Sequence, residues 1–205
     1  MDAAPAPLQF YFDFISPYGY FASLRVDDLA ARHGRSVTWH PMLLGVSVMK
    51  IMGLRPLMET PIKAPYVQRD VLRYARRHHI TLGRDPGAPP MKPLTAARAC
   101  CWAAAHHPDA AKPLARAMLH AYWVEGRDLS EPASLAGMAL PDGIEAGPLV
   151  SAVAGEDAAL RLRQSVEASL SAGVFGSPTV IVDGEMFWGL DKLDDVEAWL
   201  ASGGW

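Results

Sequence analysis

The sequence predicts an α/β protein whose small mixed sheet is assembled from the two ends of the chain, with an all-helical unit inserted between them. Three observations lead there. Near the start, an aromatic and β-branched run over residues 10–15 and an alternating stretch over residues 36–40 flank a helical pattern. Near the end, Thr179–Val182 and Glu185–Trp188 flank Asp183-Gly184, a strong short hairpin signal. From Val46 to about Ala172 nothing reads as a strand. The expected order is βαβ, a long helical stretch, then ββα. Residues 8–45 and 174–205 should form the sheet-bearing domain, and residues 46–173 the insertion.

Each element has its own reason. In the first strand Asp13 interrupts the apolar run shortly before it breaks. Ser16 is a good N-cap and Pro17 suits the first helical position. Arg25, Asp28 and Arg32 fall on one helix face, and Ala22, Val26, Leu29 and Ala30 on another, so one helix is expected to about His33. Gly34 then stands where a C′ glycine belongs. Val67, Val71, Tyr74, Ala75 and His78 make a helical stripe, whereas residues 85–93 are loop. Further helices are expected over residues 95–106, 114–124 and 131–139. Leu162, Val166 and Leu170 mark a long helix ending at Gly173. Asp191 or Asp194 should cap a last helix through Leu200.

Composition excludes several classes. A net charge of -3 gives no general attraction to nucleic acid or membranes. The basic run over residues 73–79 lacks an accompanying aromatic platform and reads as a solvated helix face. No apolar run has the length of a membrane span, and residues 1–7 lack the positive n-region of an export signal. Cys100 and Cys101, the two cysteines, are adjacent in a helical stretch and are not expected to bond each other. The expectation is a reducing, cytoplasmic setting. His78-His79 and His106-His107 lack a partner at ligand spacing, so no metal is expected.

Two loops could carry chemistry. A strand running into the Ser16-Pro17 helix start brings unpaired N–H groups and a positive dipole end to the sheet's edge, which suits a thiolate, carboxylate or phosphate. An ordinary capped helix is the competing account. In Gly176-Ser177-Pro178-Thr179 the proline is either punctuation before a strand or a cis residue. A cis Pro178 would leave the backbone of Ser177 open to a peptide-like ligand.

Together these features resemble the thioredoxin fold of the DsbA branch. Its disulfide oxidoreductases carry Cys-x-x-Cys where this chain has Ser16-Pro17-Tyr18-Gly19, so dithiol exchange is excluded here. The chain is similar to the serine-bearing relatives, the kappa-class glutathione transferases and the bacterial 2-hydroxychromene-2-carboxylate isomerases. The likeness lies in residues 10–20 (FYFDFISPYGY), 41–45 (PMLLG), Lys63 followed by Tyr66, 121–128 (AYWVEGRD), 174–179 (VFGSPT) and 189–193 (GLDKL). The wording of 121–128 and 174–179 favours the isomerase branch. The sequence departs from the family at Leu54 and near Lys92, where relatives carry Asn.

The resemblance implies glutathione as cofactor and Ser16 as the residue that activates or orients its sulfur. It sets the peptide against Ser177 and a cis Pro178, and the γ-glutamyl end near Leu190 and Asp191. Lys63 would meet a glutathione carboxylate. For Asp191 the alternative is a simple N-cap, and for Lys63 an exposed helix lysine. Lys50 and Tyr18 are candidates for contact with a small aromatic carboxylate substrate. The implied reaction interconverts the chromene acid and trans-o-hydroxybenzylidenepyruvate in naphthalene-type degradation. A kappa-like transferase or peroxidase, or a non-catalytic thioredoxin-fold module, are the alternatives. Family members are commonly homodimers. A Ser16→Ala change is expected to depress activity while leaving melting nearly unchanged.

Overall fold

In the computed structural model, which describes residues 5–205, a four-stranded sheet is built from both ends of the polypeptide. Part of the 1–7 segment thus lies outside the described residues. Strands β1 (Leu8–Phe12), β2 (Val37–Pro41), β3 (Thr179–Val182) and β4 (Glu185–Trp188) stand in the order β2-β1-β3-β4. β1 runs parallel to β2, with Leu8 opposite Val37, and antiparallel to β3, with Phe10 opposite Val180. β3 and β4 form the hairpin expected from Asp183-Gly184, whose φ angles of 52° and 89° are those a two-residue turn between twisted strands requires.

Alternation sorts the strand residues onto two faces. Leu8, Phe10 and Phe12 are fully buried, and Trp39 meets the Phe10 and Phe12 rings edge-on at 5.1 and 5.4 Å. Tyr11, Met42 and Val174 form a smaller cluster, packed by Leu44, Ile181 and Met186. The helices are α1 (Pro17–Ser23), α2 (Val26–Arg32), α3 (Lys63–Arg77), α4 (Leu94–His106), α5 (Pro108–Trp123), α6 (Ala146–Ala154), α7 (Glu156–Ser171) and α8 (Leu193–Ser202). Between β2 and β3 there is no strand among the described residues, as the sequence predicts. No helix among them is long and apolar enough to cross a membrane.

The expected single helix from Ser16 to His33 is two. Ser23 Oγ donates to Tyr20 O at 2.6 Å, occupying the carbonyl that Leu24 N–H would take in a continuous helix. Leu24 and Arg25 bond instead to Phe21 and Ala22, three residues back, and the backbone turns before α2 begins. Gly34 closes α2 with φ 65°, as expected.

Other departures lie in the insertion. α5 begins at Pro108, six residues before the predicted start, and carries Pro113 inside it. The helix expected over residues 131–139 is only a 3-10 turn, Pro132–Gly137, where Ser134 Oγ turns back to Glu131 O. α6 and a π-helical segment, Gly45–Ile51, have no counterpart in the sequence expectation. Neither Asp191 nor Asp194 caps the last helix: α8 begins after Lys192, and no side chain bonds to its first amides. A 3-10 turn, Leu190–Lys192, precedes it, and Asp194 instead pairs with Arg25 at 3.0 Å. Cys100 and Cys101 are free and buried in α4.

Candidate functional site

β1 ends at Phe12, and the backbone turns from the carboxyl end of this inner strand into α1. Ser16 caps α1: its Oγ accepts from Gly19 N–H at 3.0 Å, and Pro17 fills the first helical position. The same Oγ donates to Ser177 O at 3.0 Å. Across that contact the Ser177–Pro178 bond is cis. Ser177 Oγ in turn accepts from Asp13 N–H at 2.9 Å. The two loops singled out in the sequence therefore meet, linked by two hydrogen bonds between residues more than 160 positions apart. Ser16 is 4% exposed, so its hydroxyl sits just beneath the surface of this corner.

Gly19 permits the approach. A Cβ there would lie 2.7 Å from Ser177 Oγ, closer than it could come without a shift, and 3.2 Å from Ser16 Cβ, a tight contact. The third side of the corner is the Leu190–Lys192 turn, tied down by a Gly189 N–H bond to Pro178 O at 2.9 Å. Gly189 has φ 121° and faces the Asp191 carboxylate, so no other residue fits there without strain. Leu190 is buried, which leaves only its backbone to face a ligand, whereas the Asp191 side chain is exposed. Hence Ser16, Ser177, Pro178, Leu190 and Asp191 converge.

The remaining candidates do not join this hydrogen-bonded corner. Lys63, the first residue of α3, and Lys50, in the π-helical segment, are exposed and make no ion pair among the described residues. Tyr18 points its hydroxyl to Asp70 Oδ2 at 2.7 Å, and Arg73 holds the other Asp70 oxygen at 2.6 Å. Burial, with the Asp70 carboxylate beside it, pushes the Tyr18 phenol well above its ordinary range. The phenol is a committed donor that joins α1 to α3.

Asp13 is the residue the sequence leaves unassigned. It is fully buried, and its carboxylate accepts from Ile15 N–H at 3.1 Å and Leu44 N–H at 2.7 Å. Burial pushes this carboxyl up to about 6, against the opposing pull of the two amides. The sequence does hold a signal for it: an acid within an aromatic strand run must be bonded or paired once buried.

The motif residues 121–128 also serve the corner. Trp123, at the end of α5, donates its indole N–H to Phe14 O at 3.0 Å and stacks on Tyr20. Tyr122 Oη accepts from Met91 N–H, and Gly126 takes φ 70° where the backbone passes Gly83 closely. An open groove of about 820 Å³ lies elsewhere, between the α4–α5 junction and residues 140–143.

A thiol-free helix start set against a cis-proline loop defines the class. The protein belongs to the DSBA-like thioredoxin domain family, whose model matches residues 7–201. Within that class it is similar to particular proteins over nearly its whole length. It is 29% identical over 194 residues to the 2-hydroxychromene-2-carboxylate isomerase of Sphingobium xenophagum, covering 94% of this chain and 97% of the relative. Human glutathione S-transferase kappa 1 is 24% identical over 215 residues, covering 95% and 90%. Among solved structures, a 2-hydroxychromene-2-carboxylate isomerase matches with a TM-score of 0.80 at 23% identity, covering 95% of this chain and 94% of the other. The cytosolic disulfide reductase DsbM from Pseudomonas aeruginosa with GSH matches with a TM-score of 0.60 at 20% identity, covering 96% and 98%. The two structures share the fold of this protein.

Proposed function

We propose that the protein is a glutathione-dependent isomerase that interconverts 2-hydroxychromene-2-carboxylate and trans-o-hydroxybenzylidenepyruvate, a step of naphthalene-type aromatic degradation. One observation carries this reading: Ser16, not a cysteine, caps the helix that faces the cis Ser177-Pro178 loop. The nearly full-length likeness to isomerases of that name supports it. In this reading the sheet-bearing residues 8–45 and 174–205, with Lys63, hold the cofactor, and the rest of residues 46–173 shape the substrate side. The setting is cytoplasmic.

The donor set suits glutathione. The Ser177 backbone beside a cis-proline offers an edge to a peptide. The exposed Asp191 carboxylate suits an ammonium, and the first amides of the Leu190–Lys192 turn suit a carboxylate. Lys63 would meet the other carboxylate. When bound, glutathione supplies a thiol for reversible addition to the conjugated ketone, and it is not consumed. Ser16 then turns its proton from Ser177 O toward the sulfur and favours the charged form. Each pKa unit by which it does so represents about 1.4 kcal/mol. The dipole end of α1 is short and adds to that in the same sense. Ser16 has no histidine or acid within hydrogen-bond reach among the described residues, which argues against a role as nucleophile. Lys50 is assigned to the substrate carboxylate.

The test mixes the purified protein with glutathione and either the chromene acid or a chloronitrobenzene, and follows absorbance and thiol content. Isomerisation at constant thiol supports the reading. Steady thiol consumption with the chloronitrobenzene alone would replace it with kappa-like conjugation. No turnover and no glutathione binding would leave a non-catalytic module.

A further inference from the structure

We propose that Asp13 is the positioning residue for Ser16, its carboxylate fixing the turn that carries the serine against the segment after β2 and against the cis-proline loop. The inference rests on the assignment of Ser16 above.

Four hydrogen bonds radiate from this one residue. Oδ1 takes Ile15 N–H and Oδ2 takes Leu44 N–H, so the two oxygens bridge segments about 30 positions apart. Its backbone N–H donates to Ser177 Oγ, and its backbone carbonyl accepts from Ser16 N–H at 3.0 Å. Every segment that meets Ser16 is thus bonded to Asp13 or adjoins a residue that is. The functional group itself restricts the choice. A carboxylate offers acceptors on both oxygens, whereas Asn in the same place would turn an NH2 group toward one of the two amides.

The burial is costly and no cation offsets it: no ion pair reaches Asp13 among the described residues. A group needed only to end a strand would not have to be a fully buried acid. The groups that face it are few. Ile15 and Leu44 present amides, the cis-proline loop presents the Ser177 hydroxyl, and from α5 the phenol of Tyr122 senses its charge. Tyr122 is raised by burial and stays neutral through the acid range, with Arg84 over its ring at 4.7 Å. With the Asp13 carboxyl pushed up to about 6, its ionisation falls where activity can be followed.

The experiment compares the full-length protein with Asp13→Asn and Leu44→Pro. The second variant deletes the amide on Oδ2 without touching Asp13 or Ser16. Leu44 already has φ -58° at the start of a helical segment, where proline is accommodated. Melting and circular dichroism establish folding first. Isomerase kcat and KM are then measured from pH 5 to 8, and glutathione affinity by calorimetry. Misplacing a reacting group by about an ångström costs on the order of 10²-fold, so Asp13→Asn should lose about that much in kcat while glutathione affinity changes less than about 3-fold. Wild type should show an inflection near pH 6 that Asp13→Asn lacks and that Leu44→Pro moves upward.

Wild-type kcat and pH profile in a folded Asp13→Asn would overturn the proposal. Should Asp13→Asn not fold, the same result in Leu44→Pro would do so. Loss of fold in both variants would assign the carboxylate to the core and overturn it equally. Full activity in Ser16→Ala would instead remove the underlying reading, a result distinct from all of these.

Discussion

Around Ser16 the polar atoms of Asp13, Ser16, Gly19 and Ser177 are bonded to one another beneath the surface. Residues 49–66, by contrast, spread Met49, Ile51, Met52, Leu54, Leu57, Ile62 and Tyr66 over solvent, with Ile62 90% exposed and Asp13 not at all. The backbone differs as well. The corner joins a strand end, a capped helix and a hairpin strand, while the second stretch is a π-helical segment, a 3-10 turn and an Ile62 with φ 71°. One region is held in place by its own hydrogen bonds, which is what the proposed function requires of it. The other leaves apolar side chains in solvent, with two lysines that make no ion pair among the described residues. Substitutions in the corner should cost activity and stability together, and those in the second region affinity alone.

The largest effect is expected at Ser16. Ser16→Ala removes the donor proposed for the sulfur, and kcat/KM should fall by about 10²- to 10³-fold, the scale seen when one such donor is deleted. Melting will not stay unchanged, contrary to the sequence expectation. The lost N-cap costs on the order of 1 kcal/mol, and Ser177 O loses its partner. An unaltered rate would erase the contrast between the regions.

Next is the pH dependence from Asp13. Its folded value of about 6 lies above the usual 3.8, so the folded state holds this proton more tightly than the unfolded polypeptide. Stability from this group is therefore greatest below about pH 4, declines as pH rises to about 6, and is level above, a total of about 3 kcal/mol. Subtracting the Asp13→Asn curve from that of wild type isolates the trend. Parallel curves would show that the buried acid has an ordinary affinity for its proton.

Gly19→Ala sets a methyl group against Ser177 Oγ. Overpacking of this kind costs about 1–3 kcal/mol, and an activity loss near tenfold should accompany it. Unchanged melting with full activity would mean that the two loops part without penalty. Smallest are the lysines. Lys63→Ala should weaken glutathione binding about tenfold, or about 1.4 kcal/mol, and Lys50→Ala should raise KM for the aromatic acid by less. Both are exposed, so melting should move by no more than about 0.5 kcal/mol. A larger shift in either would place that lysine with the corner rather than against it.

Much of the sheet-bearing part of the fold, and the helix start at the corner, is legible in local signals. Ser16-Pro17, Gly34 and Asp183-Gly184 each carry their conformational reason within a few residues, and the structure follows them. The same is not true of Asp13, whose Leu44 partner is distant in sequence and which locally reads as an interruption. The break after Ser23 depends on one hydroxyl choosing a backbone carbonyl, a choice that amphipathic spacing does not encode. In the insertion, Ala-rich composition signals helix but not its ends, so α5 extends upstream through Pro113 and residues 131–139 tighten into a 3-10 turn. What Lys63 and Lys50 reach is not written in local pattern at all, because both stand in solvent on irregular or newly started elements.

The pairing of β1 with β3 also bears on how the protein is made. Phe10 waits for Val180, so a nascent polypeptide leaves the ribosome with β1 and β2 made long before their third neighbour exists. Translation proceeds at roughly 5–20 residues per second, so this interval is on the order of ten seconds or more. During it an aromatic strand edge has no permanent partner and is exposed to misassembly. Ser16 and Ser177 can first touch only after the 161 positions that separate them have been synthesised. A product truncated before residue 177 therefore lacks the Ser16–Ser177 contact altogether.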